Sequence, residues 1–127
     1  MSAEQVVEKS FVLNDSQLQI SLSGINDSHL KLIEEGLDVD LSPFGGTIKL
    51  TGAEENVALA YQVLSELTGL LRKKITISSA DVVSAMKMAQ RGTLEYFKDL
   101  YTEELIKDRT TTPIFYQFFS IKIFEVF

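Results

Sequence analysis

Hydrophobic and polar positions along the chain fall into short, well-punctuated blocks. Across residues 12–23, Leu18, Ile20 and Leu22 alternate with Gln17, Gln19 and Ser21, a period of two that predicts a half-buried strand. Gly24 ends it. Asn26-Asp27-Ser28 then supplies residues that favour a helix N-cap, followed by Leu30, Ile33 and Leu37 at helical spacing with Glu34 and Glu35 outward. This predicts a short helix closed by Gly36. Val39 and Leu41 alternate with Asp38 and Asp40, residues 43–46 read as a turn, and Thr47, Ile48 and Leu50 resume the extended pattern. The three together predict a β-hairpin, broken at Gly52.

The strongest periodic signal runs over residues 53–73, where Val57, Ala60, Leu64, Leu67 and Leu71 form one apolar stripe. Acidic residues open that helix and Arg72-Lys73-Lys74 close it, as the helix dipole favours. A further helix is announced by Ser78-Ser79 with Asp81 as the partner in a capping box, carries Val82, Met86 and Ala89 inward, and stops at Gly92. Another begins at Thr93, with Leu94, Phe97, Leu100, Tyr101 and Leu105 as its stripe, and ends at Lys107-Asp108-Arg109. Beyond it Thr110-Thr111-Thr112-Pro113 leads into a stretch with five of the eight Phe and no clean period.

These elements predict an α+β fold in which a small antiparallel sheet of about three strands packs against helices, followed by a C-terminal helical pair. The expected divisions are a 1–75 α+β domain, a 76–109 two-helix extension packed on it, and a 110–127 aromatic tail, docked weakly or disordered. A chain of 127 residues with 45% hydrophobic and 24% charged residues has the makings of one packed core. The net charge of −6 repels a phosphate backbone, so nucleic-acid affinity must come from a local patch. No cysteine is present, which excludes disulfides, thiolate metal sites and a Cys nucleophile and suits a reducing cytoplasm. The first ten residues lack the pattern of a secretory signal, and no apolar run approaches the roughly 20 residues that span a bilayer. No membrane partner is expected.

Candidate chemistry is sparse. The single His29 has no cysteine and no acidic cluster to complete a metal site or a Ser-His-Asp triad, and it reads as a solvent-facing helix residue. Gly45-Gly46 is followed by Thr47-Ile48-Lys49 without the spacing of a phosphate-cradling loop, so it reads as a hairpin turn. The pairs Glu34-Glu35, Glu54-Glu55 and Glu103-Glu104 read as exposed helix faces, and Met86 and Met88 as core and flank filler. The residues taken alone therefore predict a binding module with no catalytic residues, no metal and no cofactor.

The order Gly24-Ile25-Asn26-Asp27, helix, hairpin, Thr51-Gly52 break and helix resembles the core of a KH domain. There a Gly-x-x-Gly loop clamps the backbone of four nucleotides, and its glycines let the chain approach the phosphates closely. Gly24 matches the first glycine. Asp27 stands in place of the second and brings a negative charge to where a phosphate would lie, while also suiting an N-cap. The resemblance nominates Gly24, Ile25, Asn26, Asp27 and Lys31 as RNA contacts. Arg72, Lys73 and Lys74, and further along Lys87 and Arg91, are the cations expected to assist, although the first three also read as a solvated helix end.

The run 81–97, Asp-Val-Val-Ser-Ala-Met-Lys-Met-Ala-Gln-Arg-Gly-Thr-Leu-Glu-Tyr-Phe, placed after this KH-like half, resembles the N-terminal region of the PhoH family, the phosphate-starvation-inducible P-loop ATPases. The likeness covers residues 11–109. It implies a cytoplasmic, non-catalytic accessory domain of an ATP-binding protein, with ATP and Mg belonging to the family's P-loop domain and none to this chain. The Phe-rich ending departs from the family, as a frameshifted or prematurely ended reading frame would. Two functions follow as expectations, an RNA-binding accessory module and, as the alternative, a homo-oligomerising or protein-interaction scaffold that uses the hairpin edge and the aromatic tail.

Overall fold

In the computed structural model, which describes residues 5–101, the chain is α+β with a three-stranded antiparallel sheet and helices. Strand β1 (Val6–Val12) is followed by α1 (Ser16–Ser23), a 3-10 turn (Ile25–Asp27) and α2 (Ser28–Leu37). Strands β2 (Asp40–Phe44) and β3 (Thr47–Ala53), then α3 (Glu54–Arg72), α4 (Ser79–Arg91) and a 3-10 segment (Leu94–Tyr101) complete it. Leu94 closes one compact unit and Glu95 opens another.

The sheet order is β1-β3-β2, all antiparallel. Gly45 and Gly46 both have positive φ, +55° and +81°, the backbone of the tight turn that best matches strand twist. The expected hairpin therefore forms, with one adjustment. Pro43 lies within β2 opposite Ile48, where an edge strand tolerates a residue without an N–H.

One face of the sheet is apolar and buried: Phe11, Leu41, Ile48 and Leu50 lie under the helices, with α3 against β1 and β3 and α2 against β2. Lys9 also points to this face, and its ammonium rests 4.4 Å from the ring centroid of Tyr61, which Phe11 meets edge-on. The long side chain thus covers the sheet margin without burying its charge. On the opposite face Glu8 and Lys49 pair at 3.4 Å among Ser10, Ser42 and Thr51.

Helix α3 forms where its stripe predicts: Val57, Ala60, Leu64 and Leu67 are buried, joined by Val63 and Leu70. The reciprocal capping box of Ser78 and Asp81 is present, and Gly92 at φ +77° terminates α4. Met86 and Met88 are core residues. Helix α4 packs on α2 and α3, and Gln90 Nε2 donates to the Gly36 carbonyl at 3.3 Å.

Several expectations are corrected. Residues 16–23 are helical, and the extended segment lies earlier, at Val6–Val12. Asp15 decides this: its Oδ1 accepts from the N–H groups of Gln17 and Leu18 at 2.9 and 3.1 Å, capping α1. The apparent alternation was accidental, since Ile20 is 63% exposed while Leu22 is fully buried. Gly36 does not end α2. It lies inside the helix, where a Cβ would fall 2.8 Å from Met86 Sδ, and the termination passes to Asp38 in the left-handed region.

Glu34 turns inward, accepting the Leu41 N–H at 2.8 Å and so fastening α2 to β2. In the second unit Phe97 and Tyr101 rings stand 5.3 Å apart in a 3-10 segment, where an α-helix was expected. The rest of that expected helix, with Leu105, and the 110–127 tail lie outside the described residues.

Candidate functional site

The loop of residues 24–27 joins α1 to α2, and each residue in it adopts a conformation its sequence makes costly or cheap. Gly24 has φ +80° and ψ 176°, a region open essentially to glycine alone. Its neighbour in space is His29, whose ring would meet a Cβ on residue 24 at 2.8 Å. That ring is only 8% exposed and its Nδ1 lies 3.1 Å from the Leu22 carbonyl, bridging α2 back to the end of α1. His29 is therefore a buried tie beneath the loop and not the solvent-facing residue expected.

Asn26 and Asp27 follow one another in the left-handed region, at φ +54° and +59°. Asp27 occupies the N-cap position of α2, yet its side chain makes no capping hydrogen bond, so the capping role expected of it is not realised. A left-handed residue is what a glycine at that place would supply without strain.

The consequence is electrostatic. Helix α1 is capped by Asp15, α3 carries Glu54 and Glu55 in its first turn, and α4 has both a cap and Asp81. Helix α2 has neither a side-chain cap nor a first-turn carboxylate. Among the described helices its N-terminus alone leaves the partial positive charge unanswered from within its own turn. Asp27 just outside it is the single nearby countercharge in the loop.

A groove of about 600 Å³ opens beside this loop, between α1, the start of α2 and the connection from α3 to α4. Gly24, Ile25 and Lys74 of the nominated residues line it, together with His29. Ile25 is 82% exposed. Lys74 owes its place to its own left-handed backbone: at φ +68°, two residues past the end of α3, its N–H donates to the Leu71 carbonyl and that of Ile75 to the Leu70 carbonyl. Arg72, Lys73 and Lys31 are exposed but do not line the groove, and Asn26 and Asp27 shape the loop without entering its wall. Lys87 and Arg91 are exposed on α4.

Sequence reasoning missed His29 and the apolar wall of Ile20, Leu71 and Ile75. The clue available for His29 was its place five residues beyond a loop glycine, at the second position of α2. Nothing in the sequence marked Lys74 as left-handed.

Among the described residues no group of three or more His, Asp or Glu side chains could hold a metal ion, and no helix is long and apolar enough to cross a membrane. In the second unit the Tyr96 hydroxyl is pushed above the usual phenol range, first by donating a hydrogen bond to the Glu95 carboxylate and then by that group's charge. A phenol held more firmly protonated is a poorer acid.

The chain is 38% identical over 105 residues to a PhoH-like protein of Bacillus subtilis (strain 168). The match takes in 83% of this chain and 33% of that relative, so the chain spans about a third of its length. The resemblance to the PhoH family read from the sequence is borne out by this match. No family model matches the chain, and no solved structure matches it.

Proposed function

We propose that this PhoH-like chain is an accessory, non-catalytic RNA-binding module, a degenerate KH domain whose loop 24–27 receives the backbone of single-stranded RNA. The observation that carries the reading is the uncapped, carboxylate-free N-terminus of α2 directly behind a glycine-initiated, left-handed loop. Such an end offers backbone N–H groups and a favourable dipole to a phosphate. The order α1, loop, α2, β2, β3, α3 supports the KH-like reading, as does the use at residue 27 of a conformation that glycine adopts freely. Net charge −6 and Asp27 weigh against tight binding, so the affinity belongs in the weak range and depends strongly on salt. In the cytoplasm this module would place RNA beside an ATP-binding partner domain.

A titration of labelled single-stranded RNA at several salt concentrations tests this. Saturable binding whose log K falls with log salt is expected, and a flat, unsaturable response at low salt overturns it. Purified chain is expected to leave ATP unhydrolysed in the same buffer.

The competing reading, an oligomerising scaffold, is favoured by Phe44, 82% exposed at the hairpin tip, and by Val6 and Val12 on the open edge strand β1. Sedimentation over a range of concentrations separates the two, because a concentration-dependent dimer that Phe44→Ser abolishes would support the scaffold.

A further inference from the structure

The groove beside the loop has a composition unlike the rest of this acidic chain. None of its lining residues is Asp or Glu, one is a cation, Lys74, and much of its wall is apolar, supplied by Ile20, Ile25, Leu71 and Ile75. Two of these, Ile20 and Ile25, are 63% and 82% exposed. His29 adds a second polar feature. With Nδ1–H donating to the Leu22 carbonyl, the imidazole form of the ring has its lone pair at Nε2. That atom has no hydrogen-bond partner among the described residues and, unlike the buried Thr68 hydroxyl, is not sealed from solvent. A side chain more than nine-tenths buried thus presents one unused acceptor, and the residue's remaining surface lines the groove.

We infer that this groove seats one nucleotide of the bound strand, its base against the isoleucine wall with an amino or imino hydrogen donated to His29 Nε2, and its phosphate at Lys74. The inference rests on the RNA reading above and adds to it the unit bound and the residues that hold it. Charge and shape agree with the occupant. A nucleotide is flat and apolar on the base faces, carries donors at the base edge and is anionic at one end, and the groove offers a counterpart to each. The uncapped N-terminus of α2 reinforces Lys74 at the phosphate end.

Lys74→Gly is the informative variant, because glycine suits the left-handed backbone at φ +68° and the change removes the ammonium without straining the fold. Its melting temperature is expected to equal or exceed that of the parent chain. Binding of a short, mixed-sequence single-stranded RNA is expected to weaken about tenfold, the loss of one charge-assisted contact. The slope of log K against log salt should shrink by about 0.7, as one lost phosphate contact on a single strand requires. Lys49→Ala, which removes the same charge from the open sheet face, is the control and should bind as the parent does. Since His29 is the one histidine of the chain, its ring 15N signals are unambiguous, and Nε2 is expected to shift when the RNA is added.

If the RNA binds the Lys74→Gly variant and the parent alike and the Nε2 signal stays in place, the groove is not the nucleotide seat, although the RNA reading survives. If the parent chain binds no RNA at any salt, that reading fails and this inference with it.

Discussion

Gly24 and His29 occupy one space: the ring of the histidine fills the volume a Cβ on residue 24 would need, at 2.8 to 2.9 Å from three ring atoms. The loop geometry and the buried imidazole therefore depend on each other, and neither can be altered alone. Gly24→Ala has to rotate the ring off the Leu22 carbonyl and also adopt φ +80° with ψ 176°. A cost on the order of 3 kcal/mol is expected. Chemical denaturation would measure it, and an unchanged midpoint would show that the loop relaxes freely.

Asp27→Gly tests the residue that departs from the Gly-x-x-Gly pattern. Glycine accepts φ +59° without penalty but loses more freedom on folding, so stability should change by less than about 1 kcal/mol. Removing the carboxylate from the mouth of α2 is expected to raise RNA affinity several-fold in the same titration. Weaker binding would mean that Asp27 itself contacts the ligand.

Glu34 links two elements through a single hydrogen bond, its Oε2 accepting from the Leu41 N–H at 2.8 Å. Glu34→Ala strands that half-buried donor and should cost about 1–3 kcal/mol. Glu34→Gln keeps an acceptor in place and should cost less. Hydrogen exchange at the Leu41 amide gives a local readout, with faster exchange expected in the alanine variant first.

Thr68 is 4% exposed toward the C-terminal end of α3, and its hydroxyl has no hydrogen-bond partner among the described residues. Replacing the hydroxyl by a methyl group of similar shape removes a desolvated polar atom at no cost in packing. Thr68→Val is expected to stabilise by up to about 1 kcal/mol, seen as a higher Tm. A lower Tm would show that the hydroxyl is bound by water.

Most of the architecture was legible because its signals were local. The stripe of α3, the Ser78–Asp81 box and the paired glycines of the hairpin each specify a conformation from neighbouring residues, and each forms as expected. The failure at residues 16–23 has a definite cause. Asn14-Asp15-Ser16 is the same kind of cap cluster as Asn26-Asp27-Ser28, but an alternation of Leu18, Ile20 and Leu22 obscured it.

The true strand β1 was hidden by Lys9, whose position on the inner face breaks the apolar pattern and makes sense only once Tyr61 lies beneath it. The site was half legible. Gly24 and its loop followed from the motif, whereas the groove depends on Lys74 and His29 arriving from separate helix ends, a meeting that no local pattern records.

The central strand of the sheet is the last of the three to be synthesised. Register pairs Val6 with Ala53 and Asp40 with Thr51, so β1 and β2 have no bond to each other and both wait for β3. On the ribosome the first strand must remain unpaired while two helices form behind it, and it gains its partner only once the glycine hairpin has closed. Hairpin closure takes microseconds while synthesis of the stretch from Val12 to Ala53 takes seconds, so the pace of translation governs how long an exposed, valine-flanked segment stays open to association with a neighbouring chain.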